Sequence, residues 1–98
     1  MKDNPFELLQ SWYDQQCDGD WEHEFGIKID TLDNPGWSVS IDLLGTNLEN
    51  KKFTKVNQLI TENDWIQCNV ENYKFHGAGG PQNLMDIINV FLVWQNSK

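Results

Sequence analysis

Asp18, Asp20, Glu22, His23 and Glu24 fall within seven positions. Carboxylates and an imidazole at that density suggest two kinds of chemistry. The first is metal binding, because oxygen ligands at alternate positions resemble a calcium loop. An EF-hand, however, wants a third ligand before its glycine and a distant glutamate after it, and Gly19 comes too early. An acidic turn between helix and strand explains the same residues, so no metal or other cofactor is expected. The second is general acid–base catalysis by Glu22, His23 and Glu24. On a strand, Glu22 and Glu24 share one face and His23 takes the other. That parity separates the imidazole from both carboxylates and makes His23 a hydrogen-bonded core residue. The other histidine, His76, borders a glycine run, and no Ser or Cys sits in a nucleophile motif such as GxSxG. No catalytic residue is assigned. A small enzyme or metal-binding protein centred on Glu22 and His23 is the alternative reading.

Gly77-Ala-Gly-Gly-Pro81, just before a helix, is placed like an anion cradle. It lacks the Lys and Ser/Thr of a P-loop, and Pro81 removes one amide. The expectation is a flexible strand-to-helix connection.

Charge and aromatic content point to binding. The formal charge is −8 and the isoelectric point about 4.4. Such a chain repels nucleic acid and anionic membranes and attracts a basic protein surface. Asp14, Asp18, Asp20, Glu22, Glu24, Asp30, Asp33 and Asp42 have only Lys28 among them; a merely solubilising surface is the bland explanation. Five tryptophans are many for one small core. Trp21, with Asp18, Asp20 and Glu22 around it, suits an aromatic anchor for a basic partner. The candidate contact set is therefore Asp18, Asp20, Glu22, Glu24 and Asp33 for charge, with Trp21 and Trp37 as anchors. Trp37 also heads an inward-facing strand register, which suits a structural role.

The elements that position these residues follow from periodicity. Asn4 and Pro5 open a helix. Phe6, Leu9, Trp12/Tyr13 and Gln16/Cys17 give it an apolar side, and it is expected over Pro5–Cys17. Alternation over His23–Thr31 and again over Trp37–Leu43 predicts a hairpin of half-buried strands, joined by Leu32-Asp-Asn-Pro-Gly36. A third strand is expected around Lys52–Leu59, at an edge or with a bulge. A fourth runs from Trp65 to Val70, and Asn72 with Tyr73–Phe75 continues or re-enters it. A second helix from Pro81 to about Gln95 carries Leu84, Ile87, Ile88, Phe91 and Leu92 on one face. Strands in a run with helices at both ends predict an α+β fold, α-β-β-β-β-α. The simplest version is one antiparallel meander of about four strands with both helices packed on one face.

Ninety-eight residues predict a single domain, spanning residues 1–98. A chain this size hides roughly 65% of its unfolded surface, enough for one core without metals or disulfides. Cys17 and Cys68 lie 51 positions apart and match no zinc-ligand spacing. The N-terminus has no signal-peptide pattern, and no apolar run approaches the ~18 residues of a membrane span. A cytoplasmic protein with free thiols is expected.

The sequence also resembles a known family. The likeness is carried by Trp12-Tyr13, the run Gln16-Cys-Asp-Gly-Asp-Trp-Glu-His23, Gly26-Ile27, and Ile29-Asp-Thr-Leu-Asp-Asn-Pro-Gly-Trp37. It continues through Ile41-Asp-Leu43, Asp64-Trp-Ile66, Phe75-His-Gly-Ala-Gly-Gly-Pro81, Asn83-Leu84 and Phe91-Leu-Val-Trp94. These blocks resemble the immunity protein 53 family over nearly the whole chain. The resemblance implies a small cytoplasmic antidote in a bacterial polymorphic toxin system. Its expected partner is a cognate toxin protein, rather than nucleic acid or membrane, and no catalysis is implied.

Overall fold

The computed structural model describes residues 4–98, and within them five strands form one antiparallel sheet with helices on one face. Helix α1 spans Pro5–Gln16. The Asn4 side chain accepts a hydrogen bond from the Phe6 amide at 2.8 Å, and Pro5 fills a first-turn position whose missing amide costs nothing. A single helical turn, α2, covers Trp21–Glu24. Strands β1 (Ile27–Leu32) and β2 (Gly36–Asp42) form the expected hairpin, with Ile29 opposite Val39 and Leu32 opposite Gly36.

The remaining strands are β3 (Val56–Thr61), β4 (Asp64–Glu71) and β5 (Lys74–Gly79), and α3 covers Leu84–Asn96. The spatial order is β1-β2-β5-β4-β3. A simple four-stranded meander is therefore corrected in two ways: there is a fifth strand, and it is inserted between β2 and β4. The third strand also begins later than expected, at Val56 rather than Lys52, and carries an irregularity between Leu59 and Thr61.

The fifth strand begins in Tyr73–Phe75, expected to continue or re-enter the fourth strand, and runs on into Gly77–Gly79, expected to be a flexible loop. Asn72 and Tyr73 both take positive φ, 54° and 61°, and make a two-residue turn whose twist matches the flanking strands. Gly77, Ala78 and Gly79 then pair with β2 on one side and β4 on the other. The glycines serve packing. A Cβ on Gly77 would run into the Ile87 Cγ2 of α3, and one on Gly79 would lie 3.1 Å from the Ile87 Cδ1. With their amides in the sheet ladder, Gly77 and Gly79 do not form an anion cradle.

Helix α3 packs on β2, β5 and β4, and α1 packs on α3. Val39, Ile41, Phe75, Ile87, Ile88 and Phe91 are fully buried between the layers, each worth about 1.5–3 kcal/mol of hydrophobic transfer. A run of edge-to-face aromatic contacts crosses this core: Trp12–Phe91 at 5.0 Å, Phe91–Phe75 at 5.3 Å, Phe75–Phe53 at 5.6 Å and Phe53–Trp94 at 5.2 Å between ring centroids. The connection from β2 to β3 is tied down at the far end of α3. Trp94 Nε1 donates to the Lys52 carbonyl at 2.7 Å, while Lys51 Nζ donates to the carbonyls of Trp94 and Ser97. A cation thus meets the negative end of the α3 dipole. Asn83 is buried where α3 begins. Its amide donates to Asp64 and Asp86, and its oxygen accepts from the Trp65 amide.

Candidate functional site

The acidic stretch forms a corner between the end of α1 and the start of β1. Residues 21–24 are helical rather than extended, for a reason visible in the hydrogen bonds. Asp18 Oδ1 accepts from the amides of Asp20 and Trp21, both at 2.9 Å, which turns the chain. Glu22 reaches back, its two carboxylate oxygens accepting from the amides of Asp18 and Gly19, also at 2.9 Å. Gly19 takes φ +97°, which a side-chain-bearing residue adopts only with strain. The two carboxylates close the turn reciprocally. Hydrogen bonds from the Trp21 and Asp20 amides hold the Asp18 carboxyl below its ordinary pKa. The Glu22 carboxyl is likewise lowered, by its own amide and those of Asp18 and Gly19.

The helical turn changes what its side chains face. His23 is exposed, not a core residue on the sheet's apolar side. Trp21 is not an exposed anchor. It is 6% exposed, its indole donates to the Leu44 carbonyl at 2.9 Å, and its ring packs against Trp12, Tyr13 and Phe25. Its work here is to pin the acidic turn to the core. Trp37 is half-buried and donates to the Pro81 carbonyl at 3.0 Å.

The seven candidates divide into two groups. Asp18, Asp20, Trp21, Glu22 and Glu24 lie together at the start of β1. Asp33 lies just beyond its other end and Trp37 sits in β2 opposite Thr31, so both are separated from the first group by most of a six-residue strand, roughly 20 Å of extended chain.

No lysine among the described residues forms an ion pair with the corner's carboxylates. The last turn of α1 holds Asp14 and no basic residue, so the negative end of its dipole points into further carboxylates. The ion pair found among the described residues joins Lys74 to Asp42 at 3.5 Å; Asp42 also accepts from the Gly26 amide beside the corner, but the pair takes up none of Asp18, Asp20, Glu22 or Glu24. The described residues contain no group of three or more His, Cys, Asp or Glu arranged to hold a metal ion. Neither cysteine forms a disulfide; Cys68 is buried, and burial pushes its thiol up to about 11.

Beside this corner lies an apolar cleft that sequence reasoning missed. It is about 520 Å³, between α1 and β1, with Phe6, Leu9 and Tyr13 on one wall and Ile27 and Ile29 on the other. The periodicities of both walls were legible, but they read as core because nothing in the sequence says that α1 leans on α3 and leaves β1 half covered. Tyr13 on the cleft wall packs its ring against Trp21 at 6.0 Å between centroids, which places the acidic turn at the cleft's edge.

No helix among the described residues is long and apolar enough to cross a membrane. Neither a curated protein nor a solved structure matches the chain. The family model described as immunity protein 53 matches residues 6–96, from the first turn of α1 to the end of α3 with the whole sheet between them. The chain therefore belongs to the immunity protein 53 family.

Proposed function

We propose that this immunity protein binds a cognate bacterial toxin and neutralises it by covering a basic surface, with the acidic corner as the contact. The observation that carries this reading is the end of α1: a helix C-terminus with no cation of its own, followed by Asp18, Asp20, Glu22 and Glu24. By contrast, α3 recruits Lys51 to the same position. Like charge held in place without a counter-charge costs stability in the free protein, and a basic partner would relieve it. Asp18 and Glu22 fix the shape of the turn, leaving Asp20 and Glu24 free to meet the partner's Lys or Arg. Asp33, with Trp37 behind it, joins only if the contact runs the length of β1, which an interface of about 800 Å² per partner accommodates.

A toxin that cleaves nucleic acid fits this chemistry, because its cleft must hold phosphates with basic side chains. The corner's carboxylates would stand in for those phosphates. The alternative centred on Glu22 and His23 draws no support from the geometry. Two backbone amides occupy the Glu22 carboxylate, and His23 faces solvent.

The test is co-expression with the cognate toxin. Asp20→Lys combined with Glu24→Lys, at exposed positions outside the turn's hydrogen bonds, should abolish protection while the circular-dichroism spectrum and melting temperature stay near wild type. Undiminished protection by a folded double variant would overturn the reading.

A further inference from the structure

The cleft between α1 and β1 gives the acidic corner a second recognition element. Helix α3 lies over the three central strands, so the inner face of edge strand β1 is left to α1. Because α1 turns Leu9 and Trp12 toward the core, Phe6 and Tyr13 reach across to β1 without closing the gap. Phe6 is 38% exposed, Tyr13 37% and Ile29 38%. These three apolar side chains meet in one concavity, which marks a place where apolar surface is kept available.

Its size falls in the range of pockets that enclose side chains or small ligands. Its rim supplies the sign of the occupant. Glu7 and Asp14 stand on the adjoining stripe of α1, Glu22 follows Trp21, whose ring packs against Tyr13, and Glu24 immediately precedes the Phe25-Gly26 pair that enters β1. An apolar floor inside a carboxylate rim fits a large apolar side chain flanked by cations.

We infer that the cleft receives a leucine, phenylalanine or similar side chain from a segment of the partner whose neighbouring residues are Lys or Arg. This rests on the toxin-binding reading and adds the chemical identity of the segment that docks. Charge at the rim governs encounter, and the buried side chain governs residence.

The test uses the full chain, labelled with 15N, and three acetylated, amidated hexapeptides. The probes are Lys-Arg-Leu-Phe-Arg-Lys, Glu-Glu-Leu-Phe-Glu-Glu and Lys-Arg-Gly-Ser-Arg-Lys. The first should bind at least tenfold more tightly than the other two, shifting the amides of Tyr13, Ile27 and Ile29 together with those of residues 18–24. Gln10→Trp, which fills the cleft from the exposed face of α1, should remove that advantage without changing the response to the third peptide. If the third peptide binds as tightly as the first and leaves Ile27 and Ile29 unshifted, the cleft has no role and the charge reading stands alone. If the first and second bind alike, the basic-partner reading fails along with this one. No shift with any peptide at millimolar concentration also overturns the inference, as does a shift confined to another surface.

Discussion

Ile87 of α3 occupies the space that a side chain on Gly77 of β5 would need. The contact fixes how closely the helix approaches the sheet, and it makes the middle of the central strand intolerant of a single methyl group. Gly77→Ala should lower stability by about 3 kcal/mol, the upper end for overpacking a well-filled core. Combining it with Ile87→Ala should cost less than the sum of the two single changes by at least about 1 kcal/mol, because each relieves the other. Urea melts of the four proteins measure this coupling. Simple additivity would mean that the helix can slide away and that the close approach is not rigid.

The Asp18–Glu22 turn should make stability depend on pH. Both carboxyls titrate below their ordinary values in the folded protein. Their contribution is therefore complete above the unfolded-state values of about 4 and is lost as pH falls through the lower folded values. A variant with Asp18→Ala and Glu22→Ala should melt below wild type at pH 7. It should then lose less on acidification, so that the two melting temperatures draw together as pH falls through the lowered folded values. Parallel losses in the two proteins would show that the turn's hydrogen bonds do not favour the charged forms.

Asn83 offers a sharper test of buried polar chemistry. Its amide nitrogen donates to two carboxylates, Asp64 at 3.0 Å and Asp86 at 2.8 Å. Asn83→Asp keeps the shape and replaces the donor by a third acceptor. At neutral pH this should cost about 3–5 kcal/mol, the penalty of an uncompensated buried charge. Burial and the neighbouring charges raise the new carboxyl's pKa, so stability should recover as pH falls and the group becomes protonated. Asn83→Ala should cost less and follow the wild-type pH profile. Equal pH profiles for the two variants would show that the site admits water.

The parts legible in the sequence were those whose side chains alternate or repeat cleanly. The β1–β2 hairpin was one, since Ile27, Ile29, Val39 and Ile41 mark its inner face and Asn34-Pro35-Gly36 marks its turn. Helix α3 was another, through Ile87, Ile88, Phe91 and Leu92. The fifth strand was hidden because Gly77 and Gly79 resemble loop residues until Ile87 is known to sit above them. The end of the acidic turn, Glu22–Glu24, was misread as strand because the alternation from His23 onward extends back over it without a break. Its helical form is set by side chain-to-amide bonds from Asp18 and Glu22 that no periodicity encodes. The exposure of Phe6, Tyr13 and Ile29 depends on which strands α3 covers, a matter of layer geometry that pattern within a single element cannot carry.

The position of β5 has a consequence for synthesis. The strand at the centre of the sheet is the last of the five to leave the ribosome, and α3, which roofs it, follows still later. Until then β1–β2 and β3–β4 are two separate ribbons, each with a bare edge facing an empty slot. A nascent chain halted before Lys74 has no route to the finished layer, so the two ribbons can join into one sheet only once β5 has emerged between them.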